Sequence, residues 1–474
     1  MITFLIMPKI IFSSILLCFL HADLAVSVLK SLDFYLQASC LSFCQFFSPL
    51  PYTTINLFVY INYMKYNIIT NSQNIFCIYI YVAAGAIYET AKQSGMSHLL
   101  EHLLLKRTKH YTSNVLIDKM TELGGVNNAT TDKDATTYYI YTNASNWEKA
   151  ITILASVLLN PSIDDHELKL EKEVVVQELN MRTDYNSDFY NMSILSILDP
   201  ENIYTKKVEG TVSNVRSFEK SKILKYFHSR YTDFNMTINI PAHLKPQVLR
   251  LLKQKFGKET PTDFYIKKEL QLSNAYTKKY FVAYKEKNQF THIFTWPAFP
   301  KLEFKSVVIL NFIRYAFING SFKSVLMYLL RTKLGLVYSL DTSNTAYRYL
   351  GMFSIEVSST KNNIEQIMKI LLEQLERLKF DGIENIEFFK KAYLNTKKLV
   401  FAEEHFRTSW YAENFFYGVN IDEKQYVKYI KDITNADIKE VAATIFDRHA
   451  MGIVSFGKYK DSKQVLAKIK ILSE

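Results

Sequence analysis

The 474-residue chain reads as an α+β protein made of two similar layered α/β-sandwich halves, each an antiparallel-rich sheet with helices packed on it. Three observations predict this. The chain is too long for one hydrophobic core, so two or more domains are expected. Its composition, 48% apolar and 22% charged, is ordinary for globular protein. From Met64 onward, short apolar runs alternate with segments of helical period, and consecutive hairpin-like strands mark an α+β order. The same order recurs in the second half without a visible sequence repeat. The boundaries are set at 64–258 and 259–474, with 1–63 as an extension.

Taken in order, apolar runs rich in Ile and Tyr predict strands at 67–70 and 75–83. A helix follows at 94–107 and another at 114–123. The Gly124-Gly125 turn leads into strands at 125–130 and 136–142, then helices at 145–159 and 164–185. Residues 244–268, with Pro246, Gly257 and Pro261, read as a helix and then a linker. Beyond it, strands are expected at 281–284 and 291–296, a long helix at 304–317, a strand pair within 338–358, and helices at 364–378 and 384–402.

Residues 1–63 differ from the rest. An apolar run at 10–20 after Lys9 has the form of a signal-peptide core and is short for a membrane span. No Arg precedes Arg107, so an Arg-rich transit peptide is not present. A start at Met64 is a further reading. Three of four cysteines, Cys18, Cys40 and Cys44, fall in this segment. Cys77 is left as a small buried hydrophobe, and no disulfide framework or Cys-based zinc site is expected. Net charge of +11 would permit nucleic-acid contact, but no basic run interleaved with aromatics supports it.

The chemistry concentrates in His98-Leu99-Leu100-Glu101-His102. On a helix these three polar side chains share one face, with Met96, Leu99, Leu100, Leu103 and Leu104 on the complementary one. Two imidazoles four residues apart are half of a zinc site, and a Glu beside them can serve as general base. The order is the inverted form of the zincin signature. The bland alternative is a helix whose histidines cap or pack; a third ligand would decide against it. Glu178 supplies one. Glu171, Val174, Val175 and Glu178 obey helical spacing, so both carboxylates project from one stripe. Glu178 would complete a single catalytic Zn²⁺ site, with Glu171 orienting a ligand. Glu167 and Glu173 read as solvated surface charges, and His405 as a surface residue.

At this point the chain resembles the pitrilysin family of inverzincin metallopeptidases, in its short-chain branch containing the catalytic subunit of mitochondrial processing peptidase. The resemblance spans about residue 64 to the end. It rests on 78–89, on 97–105 with the metal pair, on 123–131, on Asn160-Pro161 and 171–178, and on 330–339 with 347–353 in the second half. It implies half of a clamshell and a zinc endopeptidase. It also implies an edge strand, Asn128-Ala129-Thr130, that pairs with an extended substrate, and Arg331 and Tyr338 as donors to the substrate carbonyl and oxyanion. Asp188 fills one position that reads a basic residue near the cleavage point; Met192 occupies the other. The implied substrates are peptides or targeting presequences in a mitochondrion- or mitosome-type matrix, with the secretory pathway as the alternative if residues 1–30 act as a signal. The implied assembly is a homodimer, or a heterodimer with a non-catalytic homologous subunit. A structural subunit that does not cleave is the competing reading. The Arg331/Tyr338 element is more typical of bacterial, self-associating members than of the mitochondrial catalytic subunit.

Overall fold

A computed structural model of the chain describes residues 59–61, 64–69, 74–184, 188–241, 245–256, 276–286, 289–360 and 363–473. The expected extension lies outside these residues apart from a short strand, β1 (Val59–Ile61). The expected linker lies outside them as well.

In the first half, β2 (Met64–Ile69), β3 (Ile75–Val82), β4 (Val126–Thr131), β5 (Thr136–Asn143) and β6 (Met236–Pro241) join β1 in a sheet ordered β1-β2-β6-β3-β5-β4. The second half holds β7 (Tyr280–Tyr284), β8 (Phe290–Ala298), β9 (Ser339–Ala346), β10 (Gly351–Ser359) and β11 (Gly452–Gly457), ordered β7-β11-β8-β10-β9. With β1 set aside the two orders are identical. In each, the last strand of the half slots beside the first in parallel, and all other pairings are antiparallel. The fold is therefore duplicated, and β4 and β9 are equivalent sheet edges.

Fifteen α-helices are described. The first half has α1 (Met96–Leu104), α2 (Ser113–Leu123), α3 (Trp147–Leu159), α4 (Asp165–Asp184), α5 (Asp188–Ile197), α6 (Val212–Ser217), α7 (Lys220–Arg230) and α8 (Lys245–Phe256). The second has α9 (Phe304–Ile313), α10 (Ile364–Asp381), α11 (Ile386–Ala402), α12 (Glu404–Phe416), α13 (Glu423–Asp432), α14 (Asn435–Ile445) and α15 (Ser462–Ser473). The long helix expected at 304–317 is α9 continued in wider turns over Arg314–Asn319.

Strand β3 shows how the layers form. Phe76, Ile78, Ile80 and Val82 alternate onto one face and pack with Leu99, Leu100 and Leu103 of α1, Leu154 of α3 and Val175 of α4. Its other face, Cys77 and Tyr79, meets Ala412 of α12, which belongs to the second half. The reverse holds on the second sheet, where α5 from the first half covers Ile293, Val454 and Phe456. Each half thus lends a helix to the outer face of the other's sheet. Separating them would expose two apolar faces to water. This exchange accounts for Met192, which packs against the second sheet, and corrects one expectation. His405 is half-buried among Tyr79, Tyr139 and Tyr141, with Nδ1 2.9 Å from the Tyr79 hydroxyl.

His292 on β8 offers a test of the second core. It is fully buried, with Nδ1 2.6 Å from Ser455 Oγ. Burial pushes its pKa down to about 3, whereas an unfolded His titrates near 6.5. The unfolded state therefore binds the extra proton. Stability from this residue is complete above about pH 6.5 and is lost as pH falls toward 3, by roughly 2 kcal/mol at about pH 5. In urea titrations the wild type should lose that much more stability than His292→Gln between about pH 7 and 5. Equal losses would refute the assignment.

Candidate active site

Helix α1 buries Leu99, Leu100 and Leu103 and leaves His98, Glu101 and His102 half-buried on its other side. Its start is fixed by Glu89, a buried carboxylate that accepts from the backbone N–H groups of Gly95 at 2.8 Å and Ser97 at 2.7 Å. Burial raises the Glu89 carboxyl to about 7, while those two donors pull the other way. Gly95 has φ +93°, and a Cβ there would stand 2.5 Å from the Glu209 carbonyl oxygen. Only glycine satisfies both constraints. The motif therefore sits on a helix whose entry is locked.

Helix α4 packs on α1 and brings up the two carboxylates. Glu178 Oε2 lies 3.7 Å from His98 Nε2 and 3.7 Å from His102 Nε2. One ligand atom from each of the three residues falls within 4.8 Å of the others. The imidazoles stand edge to face, with centroids 4.8 Å apart. Glu171, two turns earlier on the same stripe and buried, accepts from His102 Nδ1 at 3.1 Å and pairs with Lys106 at 2.8 Å. Donation from Nδ1 leaves the Nε2 lone pair of His102 pointing at Glu178. Burial opposes ionisation of Glu171, but His102 and Lys106 outweigh it and hold the carboxyl below its usual range. Burial likewise lowers the His102 pKa, and the surrounding carboxylates of Glu171, Glu178 and Glu101 lift it above the ordinary value. Replacing Glu171 by Gln should weaken zinc binding by roughly 10- to 100-fold, measured by competition with a chromophoric chelator. Unchanged affinity would show that Glu171 does not orient His102.

Glu101 points beside this cluster. Its Oε2 accepts from the Thr131 hydroxyl at 2.5 Å. Burial raises its pKa against the pull of Thr131 and His102, and the Glu178 charge adds to the rise. A carboxyl tuned upward is better matched to proton transfer near neutral pH. Thr131 ends β4, an edge strand of its sheet. Ala129 is buried, Asn128 and Thr130 are exposed, and the Ala129 N–H is held by the Asn128 side-chain oxygen at 2.9 Å. A cleft of about 450 Å³ runs along this edge, lined by His98, Glu101, His102, residues 129–131, Glu178, Met181 and Glu209.

The other expected residues lie elsewhere. Asp188 opens α5, and its side chain is outside the described residues. Arg331 and Tyr338 are exposed on the second half and do not line this cleft; the Arg331 guanidinium lies over the Phe322 ring at 5.6 Å. Glu167 is not a free surface charge, since it pairs with Arg107 at 3.3 Å and accepts from Ser113. Thr131 and Glu89 escaped sequence reasoning because their roles depend on contacts between distant segments.

The donor set suits zinc. Two imidazole nitrogens and one carboxylate oxygen are ordinary zinc ligands, and tetrahedral zinc spaces its ligand atoms by roughly 3.3 Å. The observed 3.7 Å separations are too long for hydrogen bonds and close to that spacing. Three protein ligands leave a fourth position open, which is the arrangement of catalytic zinc.

Fold and site together define the class, a duplicated α+β protein with the inverted zincin constellation on its first half. Comparison with known proteins agrees. Residues 68–210 match the family model described as insulinase (peptidase family M16), and residues 217–390 match the one described as peptidase M16 inactive domain. The chain belongs to peptidase family M16. An uncharacterised zinc protease of Bacillus subtilis is 26% identical over 317 residues, 65% of this chain and 74% of that one. A probable mitochondrial-processing peptidase subunit beta of Arabidopsis thaliana is 25% identical over 180 residues, 38% of this chain and 34% of that one. The crystal structure of a protease from Helicobacter pylori superposes with a TM-score of 0.76 at 18% identity, covering 84% of this chain and 98% of that one.

Proposed function

We propose that the chain is a zinc-dependent endopeptidase that cleaves extended peptides. One observation carries this reading: three ligand atoms converge beside a general-base carboxylate, at the open edge of a sheet. His98, His102 and Glu178 would hold the ion, which supplies Lewis acidity toward a water and the scissile carbonyl. Glu101 takes the proton of the attacking water and passes it to the departing amine. An incoming peptide strand pairs with β4 and takes over the Ala129 N–H that Asn128 now holds.

The finer reading, removal of presequences in a mitochondrion- or mitosome-type organelle, rests on the likeness to processing peptidases. The bacterial zinc protease relatives support peptide cleavage without that address. A non-cleaving structural subunit is disfavoured because all five site residues are present in one arrangement; zinc content distinguishes the two.

Arg331 and Tyr338 do not line the cleft of their own chain, so on this reading they serve a second chain. A symmetric dimer would then complete two equivalent sites. Mixing Glu101→Gln with Tyr338→Phe chains should restore cleavage in mixed dimers, each holding one intact site. No rescue despite demonstrated subunit exchange would rule out shared sites.

A further inference from the structure

The turn at 132–135 joins β4 to β5 and directly follows Thr131. Three segments grip it. From the first half, the N–H groups of Ala86 and Ile87 donate to the carbonyls of Asp132 and Lys133 at 3.3 and 3.1 Å. A Cβ at Gly85 would collide with those same carbonyl oxygens. From the second half, the β9–β10 turn at 347–350 reaches in. The Tyr347 hydroxyl donates to Asp132 Oδ1 at 3.1 Å, and the Arg348 N–H donates to Asp134 Oδ2 at 2.8 Å. The Tyr204 hydroxyl donates to Asp134 Oδ1 at 2.9 Å and accepts from the Tyr349 N–H at 3.2 Å. The Tyr204 and Tyr347 rings stack at 5.2 Å. Asp134 has no exposed surface.

A buried carboxylate is costly unless fully hydrogen-bonded, and once satisfied it makes a turn rigid. Here the rigidity lies one residue from the only hydroxyl recorded on Glu101 among the described residues. The Thr131 hydroxyl also lies 3.3 Å from that of Thr136, the first residue after the turn. Both shoulders of the turn therefore bear on the same point.

We propose that the second half sets the base of the first: the turn at 347–350 clamps the turn at 132–135, and the clamped turn fixes Thr131 as the donor that orients Glu101. The proposal rests on Glu101 being the general base. Thr131, Asp134 and Tyr347 are positioning residues that act through it. Sub-ångström placement of a base governs the rate of proton transfer more than substrate affinity.

The test uses the zinc-loaded full chain with internally quenched peptides of mixed sequence, alongside hydrogen–deuterium exchange. Thr131→Val should lower kcat by roughly 10- to 100-fold with KM and zinc content unchanged, and Thr131→Ser should retain most activity. Tyr347→Phe should lower kcat about fivefold and speed amide exchange of the 132–136 segment by a similar factor. Combined with Thr131→Val, it should cause no further loss. Multiplicative losses in the double variant would overturn the coupling, and unchanged exchange in Tyr347→Phe would overturn the clamp whatever the activity. A fully active Glu101→Gln chain would instead remove the base assignment, a separate failure.

Discussion

Replacing Glu101 by Gln should lower kcat by roughly 10³-fold while leaving zinc content unchanged. The amide matches the carboxylate in shape, and its oxygen can still accept from the Thr131 hydroxyl, now 2.5 Å from Glu101 Oε2. What disappears is the basic site for the proton of the attacking water. Glu101 is not in the three-residue ligand cluster, so metal retention is unaffected. Steady-state cleavage and metal analysis on the same sample check both halves of the expectation. Full activity would remove Glu101 from its role, and loss of zinc would show that it coordinates.

Replacing His102 by Ala should lower zinc affinity by at least about 10³-fold, because it removes one of three protein ligands. It also deprives the buried Glu171 of its 3.1 Å partner, leaving Lys106 to neutralise it. A loss of roughly 1–3 kcal/mol in stability follows from that broken pair. Zinc binds the native state and should raise the melting temperature of the wild type by mass action. The His102→Ala chain should show no such rise at equal zinc. A rise of the same size would mean that the ion sits elsewhere.

These expectations trace to residues visible in the sequence, because the motif residues obey local rules. His98, Glu101 and His102 share a helix face by spacing alone, and Glu171 and Glu178 do the same on α4. The Gly-Gly turn marks the start of β4, while its place at the sheet edge was implied by the family resemblance. What stayed hidden depends on long-range partners. Strands β6 and β11 are only six residues long, and each slots beside the first strand of its half, a partner far away in the sequence. Helices α5 and α12 cross between halves, so Met192 and His405 were read without the surfaces that bury them. Glu167 read as solvated because Arg107 and Ser113 approach it only in the folded chain. Thr131 reaches Glu101 only when β4 lies against α1.

The central claim is that His98, His102 and Glu178 hold one zinc with an open position beside Glu101. X-ray absorption at the zinc edge of the zinc-loaded full chain tests it most directly. The predicted spectrum shows four light-atom ligands at roughly 2.0–2.2 Å, with outer-shell scattering from two imidazoles. A six-oxygen shell, a sulfur ligand, or any imidazole count other than two would contradict it.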